Sequence, residues 1–145
     1  MGRGAIFELT PVKGAAWTKT VLFNFNGADG SLPSFPSKLA FGSNGALYGT
    51  TVEGGSGDNG GTVFELAPPA TAGGAWTQTV LYSLPGYTGM RAPWGGVLVG
   101  PGGALYATAS ANAFVLSANA GGAPFILTPP AMRGGTWTES TLVSF

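Results

Sequence analysis

Hydrophobic and polar residues alternate along short segments of the chain, and this alternation predicts β-strands. Around the middle of the sequence, Phe64 and Leu66 fall on one face of such a strand, while Val63 and Glu65 fall on the other. Prolines such as Pro68 follow the strands, because they lack the N–H group that a strand ladder needs. No stripe with a 3.6-residue period competes, so an all-β fold is predicted.

A two-strand unit occurs three times along the chain. It opens with aromatic-x-Leu-x-Pro, continues through a Gly/Ala-rich turn, and closes with Trp-Thr-x-Thr/Ser-x-Leu. The three copies span residues 4–25, 61–84 and 123–145. Each copy is predicted to form a β-hairpin.

A second element, Gly-Ala-Leu-Tyr, recurs between the hairpins at residues 45–48 and 103–106. Apolar segments at 38–41 and 96–99 precede it, and Asn44-Gly45 and Gly102-Gly103 supply residues that tolerate a positive φ in a tight turn. One period therefore contains four short strands, with 59 residues from Trp17 to Trp76 and 61 to Trp137. A four-strand repeat of this length is typical of a β-propeller blade.

Charge and composition narrow the possible functions. Only 8% of the residues are charged, with 6 Lys+Arg against 6 Asp+Glu, so the chain has no basic footprint for nucleic acid or an anionic membrane. No apolar run approaches the roughly 18 residues of a membrane span. The chain has no cysteine and no histidine, which removes thiolate chemistry and the commonest general base. A non-enzymatic role is favoured, and a surface so poor in charge favours self-association.

Several of these segments together resemble the GloVer-type (Gloeobacter/Verrucomicrobia) tandem repeat. The segments are Asp29-Gly30 with Pro33, residues 47–51, 54–55 and 61–66, and Trp76 to Tyr82. The resemblance implies a propeller-like fold in large bacterial proteins that are extracellular or exposed at the cell surface. Met1-Gly2-Arg3 leads directly into the first strand, so this localisation is expected from the resemblance and not from a signal peptide. The family supplies no catalytic residue.

The order of the elements also resembles NHL-type propellers, in which the Trp-containing strands would be outermost. On that basis the chain is a single β-repeat domain: a half blade at 4–25, a blade at about 33–84 and a blade at about 92–145. Two and a half blades cannot close a ring, so we expect completion by oligomerisation with copies of the chain, as in some small lectins, or by the rest of a longer propeller. The apolar run 113–116 is expected to be an extra edge strand or an interface.

Aromatic residues provide the candidates for ligand binding. Tyr87, Arg91 and Trp94 converge in one loop, where aromatic faces and a forked donor suit a carbohydrate, an anion or a peptide. The recurring Trp17, Trp76 and Trp137 are interpreted as blade core, with a repeated platform for sugar rings as the alternative.

The loop carboxylates Asp29, Glu53 and Asp58 provide the candidates for a metal site. Solvated loop residues are the more natural interpretation, and the expected cofactor is none. The alternative is that they hold Ca²⁺ in a metal-dependent propeller hydrolase of esters or phosphotriesters that works without histidine. Three functions stay open at this point: a surface binding module for a carbohydrate or protein ligand, that hydrolase, and a structural assembly or filament subunit.

Overall fold

The computed structural model describes residues 2–33, 38–56, 58–86, 90–111, 122–132 and 134–143. The regular structure of these residues is almost entirely β, with a 3-10 turn at Pro101–Gly103. The all-β prediction is confirmed. The strands are β1 Ala5–Thr10, β2 Thr18–Asn24, β3 Ser31–Pro33, β4 Ala40–Phe41, β5 Leu47–Glu53, β6 Thr62–Ala67, β7 Thr77–Ser83, β8 Met90–Arg91, β9 Val97–Val99, β10 Leu105–Ala111, β11 Gly122–Thr128 and β12 Thr138–Thr141.

The strands form three antiparallel sheets, none of which closes on itself within the described residues. Sheet I is the hairpin β1-β2. Sheet II has the order β3-β5-β6-β7, with β4 also paired to β5, and sheet III has the order β12-β11-β10-β8, with β9 also paired to β10. Within each sheet the longer strands pair in sequence order, β5 with β6 and β6 with β7, and β10 with β11 and β11 with β12, as expected for a repeat of short hairpins.

The first strand position of sheets II and III is divided into two short pieces. In sheet II, β3 pairs with the end of β5 and β4 with its beginning. In sheet III, β8 pairs with the end of β10 and β9 with its beginning. The predicted segments 38–41 and 96–99 supply β4 and β9, whereas β3 and β8 were not predicted. The Trp-containing strands were predicted to begin at the tryptophans, but each begins one residue later, at Thr18, Thr77 and Thr138.

The three sheets stack on one another. We call the face that carries Phe64 and Leu66 the front of sheet II, the face that carries Val63 and Glu65 its back, and we name the faces of the other sheets by the equivalent repeat positions. Phe64 and Leu66 pack against Ile6 and Phe25, which lie on the back of sheet I. The rings of Phe25 and Phe64 meet edge to face, 5.3 Å between centroids.

The back of sheet II meets the front of sheet III in the same manner. Val63 is buried in one cluster with Leu105, Phe125 and Leu127 of sheet III. Both interfaces are therefore front to back. Burial of side chains of this size stabilises the fold by about 1.5–3 kcal/mol each.

The burial of the three recurring tryptophans depends on whether another sheet covers them. Trp76 and Trp137 are half-buried and pack against the clusters between sheets I and II and between sheets II and III, so their interpretation as core packing agrees with the structure. Trp17, at the same repeat position in sheet I, is 62% exposed. The predicted edge strand or interface at 113–116 lies outside the described residues.

Candidate binding cleft

A cleft of about 930 Å³ opens between sheets II and III. Its walls are the turn between β6 and β7, the turn between β11 and β12, and the adjoining part of β7. The side chains that give it chemical character are Asn44, Glu65, Thr77, Thr79 and Trp137. The volume lies in the range of ligand pockets in other proteins, about 300–1,000 Å³.

The two turns that flank the cleft have the same local design. Pro68 and Pro129 follow the strands β6 and β11. Backbone hydrogen bonds then close each turn, with Gly74 N–H donating to the Thr71 carbonyl and Gly135 N–H donating to the Met132 carbonyl, both at 3.1 Å. The repeat therefore places two matching turns side by side when the sheets stack, and the space between them is the cleft.

Glu65 supplies the carboxylate of the cleft. It lies on the back of β6, directly opposite Tyr48 on β5, and the Tyr48 hydroxyl donates to Glu65 Oε1 at 3.2 Å. Burial, together with the charge of Glu65 and this hydrogen bond, raises the pKa of Tyr48 above its ordinary value, so the hydroxyl stays protonated and continues to donate. Glu65 lines the cleft, and among the hydrogen bonds of the described residues its Oε2 takes part in none.

Trp137 supplies the aromatic surface of the cleft. Part of the ring packs against the cluster between sheets II and III, and part lines the cleft. Thr77 and Thr79 are exposed on the back of β7 and line the same space. An aromatic face, a carboxylate acceptor and hydroxyl groups that both donate and accept are thus brought together.

The loop predicted from the sequence as a ligand site is only partly described. Trp94 is 53% exposed and lines a shallow pocket of about 310 Å³ together with Thr108 and Ser110. The backbone of Arg91 lies in β8, opposite Ser110. Tyr87 and the side chain of Arg91 lie outside the described part of the chain, so a site formed by these three residues stays a prediction.

The three predicted metal ligands, Asp29, Glu53 and Asp58, occupy different places in the fold. Oδ1 of Asp29 accepts a hydrogen bond from Asn26 N–H at 2.9 Å and closes the turn after sheet I. Glu53 ends β5, and Asp58 is exposed in the following loop. Among the described residues, no three His, Cys, Asp or Glu side chains lie close enough together to hold a metal ion. A Ca²⁺ site stays an untested alternative.

Reasoning from the sequence missed the cleft because its parts were assigned separately. The sequence pattern placed Glu65 on one face of a strand without assigning it a functional role, and Trp137 was interpreted as blade core. The available signal was the difference between repeats: Glu65 is opposite Tyr48, whereas the equivalent Tyr106 is opposite Ile126.

Comparison with family models, with curated proteins and with solved structures finds no match for this chain. The resemblance to GloVer-type repeats therefore stays a prediction. Within the described residues, no helix has the length and apolar character that crossing a bilayer requires.

Proposed function

We propose that this chain is a carbohydrate-binding module built from propeller-like β repeats, and that the cleft between sheets II and III holds the sugar. The observation that supports this function is the convergence of the Trp137 ring, the Glu65 carboxylate and the Thr77 and Thr79 hydroxyls in one cleft.

The chemistry of these groups suits a neutral sugar chain. The hydrophobic C–H face of a pyranose ring stacks on an aromatic ring such as that of Trp137. The hydroxyls at the edge of the same sugar donate to a carboxylate and exchange hydrogen bonds with threonine hydroxyls. Tyr48 fixes Glu65 before a ligand arrives, which reduces the entropy lost on binding.

The size of the cleft favours a segment of a polysaccharide. About 930 Å³ lies near the upper end of the range for ligand pockets and accommodates more than one sugar unit. On this proposal the module works at the cell surface or outside the cell, as the sequence resemblance implied. Repeated sheets completed by further copies of the chain would present several such clefts together, which increases the avidity for a repeating polymer.

The proposal is tested by affinity electrophoresis of the purified protein in gels containing soluble β-glucan, xylan, pullulan or galactomannan, followed by calorimetry with the corresponding oligosaccharides. We expect retardation by at least one polymer. We also expect Trp137→Ala to weaken that interaction by about tenfold or more, which corresponds to about 1.4 kcal/mol.

Two matched tryptophan variants locate the site. Trp17→Ala removes the ring at the same repeat position in sheet I, outside the internal cleft. At protein concentrations too low for copies to associate, we expect this variant to leave the affinity of the internal cleft unchanged. Trp94→Ala removes the ring of the loop predicted from the sequence. Loss of binding in Trp94→Ala but not in Trp137→Ala would move the site to that loop, and absence of binding to every polymer and oligosaccharide would contradict the proposed function.

A further inference from the structure

The two interfaces inside the chain are the same contact made twice. In each, the front of one sheet covers the back of the preceding sheet, and equivalent repeat positions meet. Phe64 and Leu66 cover sheet I, and Phe125 and Leu127 cover sheet II. Such a contact is heterologous, because it joins two different surfaces, and it can continue beyond the end of the stack.

The first sheet of the stack has an uncovered front. Phe7 and Leu9 occupy the positions of Phe64 and Leu66, yet they are 48% and 50% exposed. Val21, opposite Phe7, is also exposed, and the Lys19 ammonium lies 4.5 Å from the centre of the Phe7 ring. This front face of sheet I is therefore an apolar surface with one charge at its edge.

The last sheet of the stack has an uncovered back. Leu98, Tyr106 and Ile126 lie side by side across β9, β10 and β11, and Leu98 is 73% exposed. A shallow, mainly apolar pocket of about 260 Å³ lies on this face and is lined by Leu98, Tyr106, Pro124 and Leu142, among others. The equivalent face of sheet II is the one that sheet III covers.

We propose that the front of sheet I of a second copy of this chain docks on the back of sheet III. The occupant is a second copy because the chain already contains both halves of this interface and forms the same contact internally twice. The charge of Lys19 is compatible with this docking. Lys19 has the repeat position of Gln78 and Glu139, which are polar residues at the margins of the two internal interfaces, so this position accepts a polar side chain when the face is covered. This inference rests on the proposed completion by further copies, but not on the proposed binding of carbohydrate.

The docked copy would also complete a second cleft. Trp17 of the incoming copy has the position that Trp137 has inside the chain, and it would line a space bounded by Thr138 and Ser140, the counterparts of Thr77 and Thr79. Ile126 stands where Glu65 stands in the internal cleft, so the second cleft lacks the carboxylate. Clefts between copies and clefts within copies would thus differ in their preferred ligands.

The experiment is light scattering after size exclusion over a range of concentrations. We expect the wild-type chain to associate, with a mass of two or more times the 14.5 kDa of one chain. Phe7→Asp and Leu98→Asp each place a carboxylate on one of the two faces, and each variant alone is expected to be monomeric. Met132→Asp is the control, because Met132 is 80% exposed in a turn and belongs to neither face. Far-UV circular dichroism verifies that all three variants fold.

Mixing the two variants decides the geometry. Phe7→Asp retains an intact back of sheet III and Leu98→Asp retains an intact front of sheet I, so an equimolar mixture is expected to form a 1:1 dimer that grows no further. A wild-type monomer at every concentration would overturn the inference, and so would association that survives both variants or a mixture that stays monomeric. Because carbohydrate binding at the internal cleft needs only one copy, its presence or absence in the monomeric variants is a separate result.

Discussion

The Tyr48 hydroxyl lies 3.2 Å from Oε1 of Glu65 and joins β5 to β6 across the back of sheet II. Neither of the other repeats has this pair. In the first hairpin Glu8 has the position of Glu65, but that copy contains no counterpart of Tyr48, and in the third copy Tyr106 is opposite Ile126. The repeats thus share a backbone architecture, while the polar chemistry on their faces differs from one copy to the next.

Replacing Tyr48 by phenylalanine is expected to lower the free energy of unfolding by about 0.5–1.5 kcal/mol, because one hydrogen bond is lost. It should also change the pH dependence of stability. The pKa of Tyr48 is raised in the folded protein above its value of about 10 in an unfolded chain. The contribution of Tyr48 to the free energy of unfolding is therefore fully present at pH values below about 10. That contribution is lost as the pH rises further, because the unfolded chain releases this proton first.

Urea unfolding between pH 8 and 11 measures this effect, and absorbance at 295 nm reports the tyrosine ionisation itself. The slope at high pH should become shallower in Tyr48→Phe without disappearing, because burial and the charge of Glu139 also raise the pKa of Tyr82. Tyr106→Phe is the matched control, since its cross-strand neighbour Ile126 offers no acceptor. An unchanged slope in Tyr48→Phe would contradict the prediction.

Thr51 and Thr62 form a buried hydroxyl pair whose loss is expected to be non-additive. Their Oγ1 atoms lie 2.8 Å apart, and Oγ1 of Thr51 also accepts a hydrogen bond from Thr62 N–H and donates to the Glu53 carbonyl. Thr51→Ala alone leaves buried polar groups of Thr62 without this partner, which costs about 1–3 kcal/mol. Sheet III has alanine at both equivalent positions, Ala109 and Ala123.

The double replacement Thr51→Ala/Thr62→Ala reproduces that natural pair. We expect its cost to be smaller than the sum of the two single replacements, and chemical denaturation of the four proteins of the double-mutant cycle measures the difference. Strict additivity within about 0.3 kcal/mol would show that the two hydroxyls do not interact in solution.

Phe64 and Phe7 occupy the same repeat position but should respond differently to truncation. Phe64 is fully buried between sheets I and II, so Phe64→Ala is expected to lower the free energy of unfolding by about 3–5 kcal/mol. Phe7→Ala, at a half-exposed position, should cost about 1 kcal/mol or less in the monomer. Thermal or urea unfolding at low protein concentration compares them, and equal losses would contradict the stacking of sheet I on sheet II.

Much of the fold could be predicted from the sequence because each strand and turn is specified by the few residues within it. Alternation in segments such as Thr62–Ala67 defines the strands, and the prolines and glycines between them define the turns. The strands β3 and β8 escaped prediction because they are short and lie among glycines and prolines that indicate turns, whereas the equally short β4 and β9 lie in apolar segments. Too few residues alternate there to give a pattern.

The cleft could not be predicted because it depends on which sheet faces which. The sequence shows that Trp17, Trp76 and Trp137 are equivalent, but not that Trp137 has a sheet in front of it and Trp17 has none among the described residues. Glu65 on its own is a polar residue on a strand face. It becomes part of a cleft only because the stacking of sheet III on sheet II brings Trp137 to the same space.

The front-to-back stacking also affects how such a chain can lengthen during evolution. Because a front fits a back at every junction, duplication of one period of about 60 residues adds a sheet without creating any new kind of interface. Selection can then adjust the number of repeats by unequal recombination, while single substitutions such as Glu65 to the isoleucine found at 126 alter the chemistry of one sheet face at a time.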